Sequence, residues 1–266
     1  MRKAVLILGI LSSFNANAWE ACGTDAEGNT ANCEYQIIDG TLTIRGTGNN
    51  GNIGYWYSSA QYDYVQPWKD KGVKNVVIED TIKDLGSYAF YVMNIQNPVV
   101  IPESVTSISN AAFDGLRAPE VIIPDSVEII EEKAFHHTVI SSAIVIPDSV
   151  TTIKSNAFGF FGAANVDIVL SDKTQNIDSD ALDSQNIRNI YCIGDIAQCQ
   201  QNVGGQFAGK IKQASAKKIN GVTYVYDKNG NLVTSSGHRK EKRIYTIEEA
   251  NAVAKPTGNT VRIKYR

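Results

Sequence analysis

The sequence predicts a repeat solenoid of short parallel strands, closed at its N-terminus by a β cap and followed by a small αβ module. Three observations predict it. The fifteen residues "VIIPDSVEIIEEKAF", Val121 to Phe135, return as "IVIPDSVTTIKSNAF", Ile144 to Phe158. The last apolar residue of each strand-like run recurs at Ile78, Ile101, Ile123, Ile146 and Leu170, in steps of 23, 22, 23 and 24 residues. Charge is also divided along the chain: residues 19–205 carry 10 Lys+Arg and 24 Asp+Glu, a net of −14, whereas residues 206–266 carry 13 and 4, a net of +9.

The period decides the architecture. Self-similarity at 20–29 residues is the mark of a leucine-rich-repeat type solenoid, in which no coil can bury its apolar edge alone and neighbours stack to share one core. Behind each register residue stand further apolar positions: Ile82, Val105, Val127 and Val150 at four residues, then Leu85, Ile108, Ile130, Ile153 and Ile177 at seven. Ala89, Ala112, Ala134, Ala157 and Ala181 follow at eleven, and Phe90, Phe113, Phe135 and Phe158 at twelve. A Pro after the register residue (Pro102, Pro124, Pro147) has no N–H to give and ends each strand. The fifth copy decays to Ser171, Thr174 and Leu182, and "IRNIYC" forms a last half-copy, giving about five and a half repeats over residues 73–195.

Residues 1–18 open on Arg2 and Lys3, run apolar from Ala4 to Phe14 and end on Ala16-Asn17-Ala18; this is the pattern of a secretory signal peptide, too short to span a bilayer. No later stretch is apolar enough to cross one, and export is expected. Residues 19–72 form the cap. In "YQIIDGTLTIRG" strand residues flank Asp39-Gly40, a hairpin turn pair. Four cysteines flank the repeats in two local pairs, Cys22 with Cys33 and Cys192 with Cys199. In an oxidising compartment they are expected to pair locally, which is one of three possible connectivities.

Residues 196–266 comprise a Gly-rich linker and a basic module. "NGVTYVYDKNGNLVTSS" reads as a hairpin turning at Asn229-Gly230, "YTIEEANAVAK" as a helix with a capping box of Thr246 and Glu249, and "NTVRIKYR" as a final strand.

"IPDSVTTIKSNAF" resembles the signature of BspA-like leucine-rich repeats, a family of bacterial surface and secreted proteins. The stretch before it, from "CEYQIIDGTLTIRGTGN" to "PWKDKGVKNVVIEDTIKDLGSYAF", is similar to the N-terminal module that precedes such repeats. The resemblance covers roughly residues 20–195. It implies the fold and a surface location, and leaves the partner open.

Two candidate binding surfaces follow from the pattern. If the register residues point inward, Val77, Val100, Ile122, Val145, Val169 and Tyr191 point out and form an apolar ladder on the sheet face. An exposed stripe of that size wants a cover: a ligand, another copy or the chain's own tail. The second is the aromatic stretch holding Tyr55, Trp56, Tyr57 and Trp68, either a binding platform or, the reading favoured here, a lid over the open end of the core.

No catalytic motif is found. "GTGNNG" matches G-x-G-x-x-G at Gly46, Gly48 and Gly51, but no helix follows to hold a pyrophosphate. "DKNGN" departs from a calcium loop at Leu232, where Gly would be needed. Adjacent His136 and His137 read as surface histidines, and His238 lies in a charged linker. No metal and no cofactor is expected. The expected function is therefore non-catalytic: a secreted or surface-attached binding protein for adhesion or envelope interaction, with an extracellular protein or glycan as ligand. The basic tail suits an anionic envelope surface, and no nucleic acid is expected. The alternatives are a structural component with a self-covered sheet face and, behind it, a carbohydrate-active enzyme.

Overall fold

The computed structural model describes residues 18–24, 28–58, 63–64, 66–159, 166–182, 185–207 and 209–237. All but Ala18 of the expected leader, and all of the expected helix at Thr246 and the final strand, lie outside these residues, as does His238.

The stack begins with a hairpin. Strands β1 (Cys33–Ile38) and β2 (Thr41–Gly46) pair antiparallel across Asp39 and Gly40, both left-handed at φ 49° and 74°. Such a two-residue turn matches the natural twist of paired strands. Strand β2 then pairs parallel with β3 (Asn75–Ile78), Thr41 opposite Asn75 and Ile44 opposite Ile78. The hairpin thus converts an antiparallel cap into a parallel stack. Along the same side follow β4 (Val99–Val100), β5 (Val121–Ile122), β6 (Ile144–Val145), β7 (Val166–Ser171) and β8 (Ile187–Ile193). A second parallel ladder forms the next side of the coil, from Ser107–Ile108 through Ile129–Ile130 and Thr152–Ile153 to Asn176–Ile177.

Each repeated residue has a mechanical task. Pro102, Pro124 and Pro147 each accept a bond from the N–H three residues on, closing the turn between the two ladders. The Ser126 hydroxyl donates to the Val105 carbonyl one coil back at 2.7 Å, so a polar group inside the turn is satisfied. Before each repeat Ala, a non-glycine residue takes a left-handed conformation: Tyr88, Ala111, Lys133 and Asn156, at φ 49–60°. That turn throws the following Phe inward. Phe90, Phe113, Phe135 and Phe158 are 0–1% exposed. Their centroids are 5.2–5.4 Å apart and their planes within 11° of parallel. The spacing is close to the ~4.8 Å between neighbouring strands, so one ring per coil gives an offset stack without further adjustment.

Both ends of this column are closed. At the N-terminus Trp68 stacks on Phe90 at 6.2 Å and Trp56 meets Trp68 edge-on at 6.1 Å. Trp68 Nε1 donates to the Ala89 carbonyl and Trp56 Nε1 to the Ile53 carbonyl, both at 2.9 Å. At the C-terminus helix α1 (Ile196–Val203) starts at Asp195, whose side chain accepts from the Ala197 and Gln198 N–H groups. Its Asn202 donates to the Asp172 and Thr174 carbonyls, and Cys199, Val203 and Phe207 close the core. The cysteines pair as expected, Cys22 with Cys33 and Cys192 with Cys199.

The parallel sheet does not stop at residue 195. Strand β9 (Ile211–Ile219) pairs parallel with β8, Ile190 opposite Ile211, and β10 (Val222–Asp227) and β11 (Leu232–Ser236) continue it as an antiparallel meander. The described part of the C-terminal region is thus joined to the solenoid by main-chain bonds, a docking that the sequence leaves open. The hairpin itself is present with two differences. The two-residue left-handed turn is Asn220-Gly221, φ 51° and 80°. The loop at Asn229-Gly230 is longer and is tied by Asp227, which accepts from the Asn229 and Asn231 N–H groups.

Phe135→Ala should lower stability by about 3–5 kcal/mol, as for other buried aromatics, read from the urea midpoint. Replacing Cys192 and Cys199 together with Ala should cost about 2–3 kcal/mol by the chain-entropy rule for short loops. An unchanged midpoint in either variant would contradict the stacked column or the terminal staple.

Candidate functional site

The apolar ladder lies where its alternation places it, but its environment changes along the stack. At the N-terminal end Val77 is 46% exposed and Val100 is half-buried. Ile122 falls to 8%, Val145 to 7% and Val169 to 0%, while Tyr191 is half-buried. The cause is the C-terminal meander. Strand β9 has nine residues, and its second half runs on with β10 as a free ribbon. The ribbon curls over the sheet face until Val225, fully buried, packs with Ala214 on Val145 and Val169. An ion pair between Lys218 and Asp125 pins its outer end. Among the described residues, the tail therefore covers the ladder at one end and leaves it open at the other.

Between ribbon and sheet lies a groove of about 1500 Å³. Its floor is Val77, Val100, Ile122 and Val145, and its roof Ala216, Lys218, Thr223 and Ser236. One wall is a row of carboxylates. Two residues past the register position every coil carries an acid: Asp80, Glu103, Asp125, Asp148 and Asp172. Several of these carboxylates bond within the chain. Asp125 pairs with Lys218, Asp148 with Lys173 at 3.3 Å, and Asp172 accepts from the Asp195 N–H at 2.9 Å. Asp80 and Glu103 stand beside the open end, against Val77 and Val100. This acidic row is legible in the repeat register, though only the stacked coils bring its members side by side.

Trp56 and Trp68 are each 2% exposed and belong to the end of the ring column, the place the lid reading gives them, so these two rings present no binding surface. Tyr55 is half-buried and meets Tyr88 edge-on at 5.9 Å, where burial raises the Tyr88 phenol above its ordinary value. The Tyr57 side chain lies outside the described residues. Two of the three glycines of "GTGNNG" serve packing. A Cβ on Gly46 or Gly51 would stand 2.3 or 2.2 Å from the Thr81 carbonyl oxygen, so the cap loop approaches the first coil backbone to backbone.

His136 and His137 do not stand by themselves. Asp114, one coil back, brings its Oδ1 to 3.3 Å from the Nδ1 of each ring. Burial lowers the His136 pKa against the pull of Asp114, and His137 adds to the lowering. Asp114 belongs to no motif in its own segment and lies a whole coil away from the histidines in sequence. The coil period of 22 residues between Asp114 and His136 was the available signal.

Residues 83–203 match, in six copies, the family model for the BspA type leucine rich repeat region. The repeat body is a BspA-type leucine-rich repeat region. Among solved structures, the chain is similar to a leucine-rich cell surface protein from Faecalibacterium prausnitzii, at 20% identity and a TM-score of 0.28. That likeness covers 76% of this chain, which spans only 58% of the length of the other. No curated protein matches. Among the described residues, no helix is long and apolar enough to cross a membrane.

Val225→Asp should detach the ribbon, losing about 1.5–3 kcal/mol of apolar burial and making the C-terminal region sensitive to brief proteolysis. Lys218→Ala should change stability by less than about 1 kcal/mol, because both partners of its ion pair are about half exposed. Equal effects of the two variants would mean that charge, not apolar contact, seats the ribbon.

Proposed function

We propose that this is an exported, surface-facing binding protein without catalytic function, and that the open half of the sheet-face groove takes an extended, basic and apolar segment of an extracellular protein. One observation carries the reading: the ladder is roofed at Val145 and Val169 but open at Val77 and Val100, beside Asp80 and Glu103. An apolar floor flanked by carboxylates suits alternating aliphatic and Lys or Arg side chains. A glycan is disfavoured because the Trp rings that would stack on a sugar are buried. Parallel strands offer no free edge at the floor, so recognition there is by side chains, which favours a family of related segments over one sequence.

The test is an array of extracellular-matrix proteins, glycans and synthetic peptides of graded charge, probed with the chain lacking residues 1–18. Basic, apolar peptides should bind, and their binding should weaken with salt. Val77→Asp should abolish binding without moving the melting temperature, since Val77 is already exposed. Selection of glycans or acidic peptides, or full binding by Val77→Asp, would sink the proposal.

A structural role is favoured by a different observation, the seating of Val225 on Val145 and Val169. Under that reading the full chain binds nothing on the array, and truncation after Ile219 leads to aggregation. The basic segment 238–266 follows directly on Gly237, which lines the groove. Its charge suits an anionic envelope surface. Truncation after Gly237 should then release the chain from anionic vesicles at low salt and leave peptide binding intact.

A further inference from the structure

We propose that Asp114, His136 and His137 form a binding site for a divalent transition metal of the zinc class, with a fourth position open to solvent. The site lies outside the groove and is independent of it. Asp114 follows Phe113 and His136 follows Phe135, so the two occupy the same place on successive coils. His137 is left-handed at φ 53°, which turns its side chain back toward Asp114.

Two of the three ligand–ligand distances are those of a coordination shell, and the third is within reach of one. Both Nδ1 atoms stand 3.3 Å from the same carboxylate oxygen, and the three ligand atoms lie within 4.8 Å of one another. A tetrahedron with metal–ligand bonds of ~2.0–2.1 Å has ligand–ligand edges of about 3.3–3.4 Å. An ordinary N–H···O bond is shorter, about 2.9–3.0 Å. Two nitrogens converge on one oxygen at the first spacing, not the second.

The coil holds all three groups before any metal arrives. The Asp114 carbonyl accepts from the Val92 N–H at 2.9 Å, and the His136 carbonyl from the Gly115 N–H at 2.8 Å. The His137 N–H donates to the Gly159 carbonyl at 3.0 Å. Gly159 also makes room for a ring, because a Cβ there would stand 2.9 Å from His136 Cδ2. Ligands fixed on rigid elements lose little entropy on binding. The donor set selects the metal. Two imidazoles and one carboxylate suit zinc, cobalt, nickel or copper, whereas calcium and magnesium prefer all-oxygen shells. The His137 side chain is 57% exposed, so the fourth position faces water or a donor from another molecule.

The experiment titrates the metal-stripped chain lacking residues 1–18 with Co(II), followed by its visible absorption, and with Zn(II) by calorimetry. One equivalent of each should bind, and cobalt should show the intense absorption of a tetrahedral site. His137→Ala and Asp114→Asn should each lose at least the ~10–100-fold in affinity that even an outer-shell partner contributes. His238→Ala, the third and last histidine of the chain, should change nothing. Zinc should raise the melting temperature of the wild type and not of His137→Ala. Should Asp114→Asn fail to fold, His137→Ala decides, since its side chain is mostly exposed. Absence of saturable binding, binding untouched by His137→Ala, or loss with His238→Ala would each overturn the assignment.

Discussion

Every structural feature of this protein depends on one spacing, the distance between successive coils. Parallel strands set it at ~4.8 Å, and a ring stack tolerates nearly the same value. The four phenylalanines therefore add apolar burial without opposing the backbone ladders, and the coils lock at centroid distances of 5.2–5.4 Å. A change of length between the register residue and the Phe would break one of the two ladders or leave a hole in the column. The steps of 22 to 24 residues are absorbed where neither ladder passes, in the loops between Phe and the next strand.

The same repetition generates sites. When coils stack in register, residues 22 or 23 apart in sequence become neighbours in space, and any side chain can be paired by changing one residue per coil. The carboxylate row at Asp80, Glu103, Asp125 and Asp148 arises in this way, and so does the meeting of Asp114 with His136. The left-handed turn that sends each Phe inward also holds the residues just after it at the surface, on a backbone already bonded on both sides. Core packing and site construction thus use one device.

The C-terminal ribbon limits what the sheet face can do. An uncovered ladder from Val77 to Tyr191 would invite association with any apolar partner. The ribbon removes Val145 and Val169 from solvent and leaves Val77 and Val100, so the free apolar surface is short and lies beside acids. The +9 tail and the −14 body meet at the Lys218–Asp125 pair. Exposed ion pairs contribute little, and the steady contact is Val225.

The sequence by itself determined the coil. Period, Pro placement, the inward Phe and Ala positions, both local cysteine pairs and the capping hairpin at Asp39-Gly40 are short-range or strictly repeated signals, and one chain displays them without reference to anything distant. Tertiary structure decided which surfaces stay open. Nothing local to Val225 says that it meets Val145, 80 residues earlier, because the curl of a free ribbon depends on the twist it inherits from β8 and β9. Trp56 and Trp68 read as lid or platform, with the lid favoured, and only the column of rings gave them a neighbour. Asp114 became a partner of two histidines only when the coils stacked, since a contact between coils exists in the register and not in the segment.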